Sequence, residues 1–146
     1  KIPVTNTQKK STGKLIKYLS NKNIKLNITA IMTIKQVKEV LKNLNPKTPS
    51  YISIFAGRIS DTGSDPMPIM IKALKLMKKN KKSERIWAST REVYNVFQAS
   101  RIKCHIITVT SDVIKKFSLY NYNLNKYSLD TVKDFRKDAL KSNYKI

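Results

Sequence analysis

A chain of 146 residues is the size of one domain able to bury a core of its own, and 40% apolar residues set it apart from disordered compositions. One cysteine, Cys104, excludes an internal disulfide, and no apolar run approaches the roughly 20 residues of a membrane-spanning helix. The 30 Lys and Arg against 9 Asp and Glu, a net charge of +21, raise the question of a polyanionic partner.

In chain order, short apolar strands alternate with amphipathic helices. Lys1 to Val4 reads as the end of a strand. The first residue is Lys, not Met, so the natural protein is expected to begin further upstream. Ser11 to Asn21 reads as helix. Ile24 to Ile31 reads as a strand with Leu26, Ile28 and Ala30 alternating. Thr33 opens a helix whose Ile34, Val37, Leu41 and Leu44 share one face, and Thr33 and Gln36 have capping-box spacing. A polar, Pro-containing loop, residues 45–49, leads to a strand from Tyr51 to Phe55, and Gly57 to Asp65 reads as loop. Pro68 suits the first turn of a helix whose apolar residues include Ile71, Leu74 and Met77. Arg85 to Ala88 is a strand, and Ser89 and Glu92 repeat the capping-box spacing before Val93, Val96 and Phe97. His105 to Val109 is a strand and Ser111 to Phe117 a short helix. The last helix spans Ser128 to Lys141, with Leu129, Val132, Phe135 and Leu140 expected to face inward.

This alternation predicts an α/β fold with parallel strands and right-handed crossovers. Five strands fit both an open doubly wound sheet and part of an eight-stranded barrel, and periodicity does not separate them. No Gly-rich phosphate loop follows a strand, which weighs against a nucleotide-binding open sheet. The chain, residues 1–146, reads as a single domain, incomplete at its start.

Lysines are spread along the whole chain, with short clusters at Lys78-Lys79 and Lys81-Lys82 and no Arg-rich stripe. Solvated helix faces account for that pattern better than a nucleic-acid surface does. A cytoplasmic setting is expected from the lone cysteine and the lack of a signal peptide.

Polar residues gather at the C-terminal ends of the strands, where the active face lies in either architecture. Lys1 and Thr5 flank the first strand end, Asn27 and Thr29 lie in the second strand, Ser53 and Arg58 mark the third, and Ser89, Thr90 and Arg91 follow the fourth. Ser89-Thr90-Arg91 is expected to open a helix directly after a strand. Unsatisfied N–H groups, a hydroxyl and a guanidinium would then meet as an anion site. The plainer alternative is a capping box with a surface arginine. Arg58 suits a second anionic group or an ion pair with Asp61. A lysine buried on a barrel strand is a candidate nucleophilic amine. His105 and Cys104 read as strand packing without partners, and a single histidine implies neither a Ser/His/Asp triad nor a zinc site.

Taken together these segments resemble the transaldolase family, including its fructose-6-phosphate aldolase-like branch. Lys1-Ile2-Pro3-Val4-Thr5 is similar to the motif around the Schiff-base lysine and Asn27-Ile28-Thr29 to the Asn-x-Thr strand. Residues 53–61 contain the Gly-Arg-Ile-x-Asp segment, and Ala88-Ser89-Thr90-Arg91 matches the Ala-Ser-x-Arg segment of the phosphate site. His105 to Val109 resembles the last barrel strand. The resemblance implies a (β/α)8 TIM barrel, of which this chain holds roughly the last five βα units and a C-terminal helix. It implies no metal and no cofactor, sugar-phosphate substrates, and a place in the carbohydrate metabolism of the pentose phosphate pathway. A homo-oligomer is expected.

Carried onto this chain, Lys1 is the imine-forming nucleophile. Asn27, Thr29, Ser53 and Phe55 line the sugar site, and Arg58, Ser89 and Arg91 hold hydroxyls and phosphate. Phe55, lacking a hydroxyl, favours a transferase over an aldehyde-lyase like fructose-6-phosphate aldolase. The family's first three strands, with the Asp and Glu that handle protons, are absent from this chain. A basic nucleic-acid-binding module is the reading from another class.

Overall fold

The computed structural model describes residues 1–78 and 80–142, so Lys79 of the first lysine cluster lies outside the described residues. The chain divides into two compact units, Lys1–Ile114 and Lys115–Ile146.

In the first unit the elements run β1 (Ile2–Pro3), α1 (Gly13–Asn21), β2 (Leu26–Ile31), α2 (Ile34–Asn43), β3 (Ser50–Ile54), α3 (Ala56–Ser60), α4 (Met67–Met77), β4 (Ser83–Trp87), α5 (Tyr94–Arg101) and β5 (Ile106–Ile107). The five strands are all parallel and lie side by side in chain order. That order separates the two architectures left open by periodicity. A doubly wound sheet reverses its strand order at a switch point, whereas a barrel adds each strand to the same edge. The chain therefore has the sheet topology of part of a barrel.

One sheet face is apolar and helix-covered. Ile28, Ile52, Ile54 and Trp87 from the strands join Ile16, Val37, Val40, Met70, Ala73, Met77 and Ala99 from the helices in one buried cluster. Each fully buried large aliphatic side chain contributes about 1.5–3 kcal/mol relative to exposure. Thr33 caps α2 as its spacing predicts: its side chain accepts from the Gln36 N–H at 3.2 Å, and Gln36 Oε1 accepts from the Thr33 N–H at 3.0 Å.

Several local expectations need correction. Strict alternation fails in β2, because Ile28 pairs with Ile52 but Ile31 with Ile54, so β2 carries one extra residue. Ala30 absorbs it at φ 60°, and Ile31 rather than the half-buried Ala30 enters the core. Residues 57–60, part of the stretch expected as loop, belong to α3. Five residues are too few to show a helical period, but Ile59 and Asp61 N–H groups donate to the Phe55 and Gly57 carbonyls. On α4, Met70, Ala73 and Met77 are buried while Ile71 is exposed. The helix turns about 100° per residue, which puts Met70, Ala73 and Met77 on one buried stripe.

Cys104 and His105 do have a partner. Arg85, fully buried on β4, donates from Nε to Cys104 Sγ at 3.4 Å and from its backbone N–H to His105 Nδ1 at 3.2 Å. Its Nη1 donates to the Met70 carbonyl at 3.2 Å. Burial pushes the Arg85 guanidinium down from its ordinary range, and the neighbouring Cys104 offsets part of that.

The remaining elements are α6 (Ser111–Lys116), a 3-10 turn at Phe117–Leu119 and α7 (Leu124–Lys141). The Asn123 side chain caps α7 by accepting from the Asn125 and Lys126 N–H groups, which starts the helix four residues before the expected Ser128. Leu129, Val132, Phe135 and Leu140, expected to face inward, are 54%, 58%, 69% and 66% exposed. Their spacing is that of one helix face. No described helix is long and apolar enough to cross a membrane.

Candidate active site

The other face of the sheet is polar. Parallel strands of period two put Asn27 and Thr29 of β2 on the side opposite Ile28, and Ser53 on the side opposite Ile52 and Ile54. Ser53 pairs with Ile86, which carries the same face onto β4. These residues and the loops at the strands' C-terminal ends enclose a hollow of about 420 Å³. Its lining comprises Lys1, Asn27, Thr29, Ser53, Phe55, Arg58, Ile86, Ala88, Ser89, Arg91 and Thr108.

All eight site residues expected from the sequence line this one hollow, although they come from two strands, β2 and β3, and from the segment before β1, the residue after β3, helix α3 and the loop after β4. Thr5, also considered at the first strand end, does not; it bridges Ser11 in a short antiparallel contact. Asp65 serves its own helix instead, accepting from the Met67 N–H at 2.9 Å. Ile86, Ala88 and Thr108 were missed. Period-two counting along β4 and β5 from Ser53 would have found them, but apolar and Thr residues carry no chemical flag.

Lys1 precedes β1, one register step before the Ile2–Ile28 pair, and so stands beside Asn27. Its side chain reaches the hollow but Lys1 is exposed, which corrects the expectation of a buried lysine. Lys1 stands at a sheet edge: β1 has a strand on one side only. The Ser53 hydroxyl donates to Asn27 Oδ1 at 2.7 Å, fixing which way that amide presents itself. Thr29 is almost fully buried, yet its Oγ1 has no hydrogen-bond partner among the described residues. A buried hydroxyl left unpaired is costly. Phe55 is half-buried, with the Arg58 guanidinium 5.8 Å from its ring centre.

The anion corner is built differently from the sequence expectation. Ser89 does not cap a helix. It adopts φ 65°, and α5 begins only at Tyr94 with no side-chain cap. Asn95 Oδ1 accepts from the Arg91 and Glu92 N–H groups at 2.9 and 3.3 Å, so Asn95 closes the turn and these two N–H groups are not free for an anion. Thr90 pins the loop to the next strand end, its hydroxyl donating to the Thr108 carbonyl at 2.6 Å.

Asp61 pairs with Arg91, not with Arg58. The Nε of Arg91 donates to Asp61 Oδ1 at 3.0 Å, and Nη2 donates to Oδ2. The hydrogen bond from Arg91 holds the Asp61 carboxyl below the usual carboxylate range, and the charges of Arg91 and Arg58 add to this. The same bond raises the Arg91 guanidinium. Two guanidinium groups and one amine thus line the hollow. No Asp or Glu lines it among the described residues. The arrangement suits a small polar molecule with an electrophilic carbon at one end and an anion at the other.

A family model described as transaldolase/fructose-6-phosphate aldolase matches residues 1–146. A "probable transaldolase" of Methanococcus maripaludis strain C5 is 32% identical over 125 residues, which are 85% of this chain and 54% of the relative. A "probable transaldolase 2" of Listeria monocytogenes is 35% identical over 118 residues, 80% of this chain and 50% of the relative. A "probable transaldolase" of a Sulfurihydrogenibium species is 33% identical over 120 residues, 81% and 51% respectively. The chain spans about half the length of the curated relatives it matches.

Proposed function

Because the chain belongs to the transaldolase/fructose-6-phosphate aldolase family, we propose that the protein moves a dihydroxyacetone unit between sugar phosphates through a lysine Schiff base. The complete fold in this reading is a (β/α)8 barrel. One observation carries it: an amine, a set of short polar side chains and two arginines from separated segments converge on a single hollow at the strand ends.

The chemistry follows from that order. The deprotonated ε-amine of Lys1 adds to the C2 carbonyl of a ketose phosphate, and loss of water gives an iminium. The iminium accepts the electron pair of the C3–C4 bond, so an aldose phosphate leaves and an enamine remains on Lys1. The C4 hydroxyl gives up its proton in this step. The hollow's described residues offer no carboxylate to take it, and the reading assigns that base to barrel strands outside this chain. The enamine carbon then attacks an acceptor aldehyde, and hydrolysis of the new iminium frees Lys1. Asn27, Thr29 and Ser53 hold the hydroxyls of the dihydroxyacetone unit. Arg58, Ser89 and Arg91 hold the distal hydroxyls and phosphate.

Phe55 favours transfer over simple release. It places a ring without a hydroxyl at the hollow's wall, where a tyrosine could deliver a proton or water to the enamine. An aldehyde-lyase resembling fructose-6-phosphate aldolase is the neighbouring alternative within the family. The reading carries a cytoplasmic setting in the pentose phosphate pathway and a homo-oligomer, the latter favoured by the uncovered apolar residues of α7.

The test is chemical trapping. The protein expressed with its upstream region is incubated with fructose 6-phosphate, reduced with borohydride and mapped by peptide mass spectrometry. A reduced sugar on the ε-amine of Lys1 is expected. A folded protein that yields no adduct with any ketose phosphate overturns the reading and brings the basic nucleic-acid module forward.

A further inference from the structure

Gly57 has no special backbone conformation: among the described glycines only Gly63 has positive φ. What Gly57 supplies is space. A Cβ on it would stand 1.5 Å from the Ser89 carbonyl oxygen, 2.7 Å from the Ser89 carbonyl carbon and 3.1 Å from Arg91 Cγ. The first two are backbone atoms, which cannot swing aside as a side-chain tip can. The Gly57 N–H also points to the Ala88 carbonyl, 3.4 Å away. So α3 is seated directly against the Ser89–Arg91 loop, and this can happen only at a residue without a side chain.

Gly57 contacts the loop where its path is most constrained. Ser89 is held at φ 65°, a conformation that a residue with a Cβ seldom adopts. One helical turn beyond Gly57, Asp61 takes the guanidinium of Arg91, with the Asp61 N–H donating to the Gly57 carbonyl at 2.9 Å. Gly57 and Asp61 are thus two points on α3 that touch one loop, and Arg58, which lines the hollow, lies between them in sequence.

We propose that Gly57 is a positioning residue of the anion corner: its missing side chain lets α3 seat on the Ser89–Arg91 loop and sets the spacing between the Arg58 and Arg91 guanidinium groups. The inference rests on the reading that these arginines hold a phosphate. An added methyl group forces the two segments apart, and both arginines can then no longer meet one phosphate. The amine end of the hollow, formed by Lys1, Asn27 and Ser53, keeps its geometry.

Gly57→Ala in the full-length protein tests this with two probes. Borohydride trapping on Lys1 is measured against concentration for dihydroxyacetone, which has no phosphate, and for fructose 6-phosphate, with inorganic phosphate as competitor. The variant is expected to trap dihydroxyacetone to the wild-type maximum with unchanged half-saturation. Half-saturation by fructose 6-phosphate and competition by phosphate should weaken by about tenfold or more, as expected for an ångström-scale displacement. Equal responses to fructose 6-phosphate in variant and wild type overturn the inference. Loss of dihydroxyacetone trapping as well also overturns it, since Gly57 then supports the fold at large. A wild type that traps dihydroxyacetone but ignores phosphate refutes the anion reading itself, a result distinct from either.

Discussion

The two faces of the same five-stranded sheet make different use of neighbouring residues. On the helix-covered face, Ile28, Ile52, Ile54 and Trp87 are completely buried and fill a shared core. One position along each strand, Asn27, Ser53 and Ile86 face a hollow that also takes in an amine and two arginines. The period of two lets one strand serve both ends without compromise. The face that holds the fold together is apolar and closed, and the face proposed for chemistry is polar, with a buried hydroxyl still unpaired at Thr29. Substitutions should therefore separate into those that change stability alone and those that change chemistry alone.

The largest effect is expected at Lys1. Lys1→Met should lower sugar trapping and turnover by about a thousandfold or more, since no other group at the hollow replaces a nucleophilic amine. Its thermal midpoint should not move, as Lys1 is exposed. Trp87→Ala probes the other face and should cost about 3–5 kcal/mol in urea unfolding. If this variant, while folded, also loses specific activity, the two faces are not independent. Arg91→Ala should raise the half-saturation for fructose 6-phosphate roughly ten- to hundredfold, from the about 1.5–3 kcal/mol of a hydrogen bond to a charged group. Binding of dihydroxyacetone should not change. Phe55→Tyr should raise free aldehyde release relative to transfer by about tenfold, at the low end of what a positioned proton donor contributes.

The smallest effect concerns pH. Asp61 has its carboxyl held below its ordinary value of 3.8 by Arg91. A group depressed in this way contributes to stability above its unfolded value and loses that contribution as pH falls through its lower folded value. Between neutral pH and about 5 the pair should therefore be constant. Carboxyl NMR should show Asp61 titrating below 3.8 in the wild type and moving up toward the ordinary range in Arg91→Ala, where the charge of Arg58 remains.

Much of this was legible in the sequence, because strand ends and strand faces are fixed by local period. The eight site residues follow from the resemblance of ordered short motifs to those of the family, and the Thr33 cap from a spacing whose hydrogen bonds the structure contains. What was not legible depended on partners distant in sequence. Ser89 and Glu92 have the spacing of a cap, but Asn95 takes the N–H groups and delays α5. Asp61 had two arginines to choose from, and only the approach of α3 to the loop after β4 decides for Arg91. Gly57 looked like the start of a loop, and its role depends on a carbonyl 32 residues later that no spacing rule connects to it. Residues 129–140 display a helical apolar stripe, yet a stripe states only that a face is apolar, not what covers it.

The central claim is that one hollow joins a carbonyl-binding amine to a phosphate-binding pair of arginines. The most direct measurement is a crystal structure of the full-length protein after borohydride reduction with fructose 6-phosphate. The account predicts sugar C2 bonded to the Nζ of Lys1 and the phosphate within hydrogen-bond reach of Arg58 and Arg91. A sugar bonded to any other lysine, or a phosphate directed away from both arginines, would contradict it.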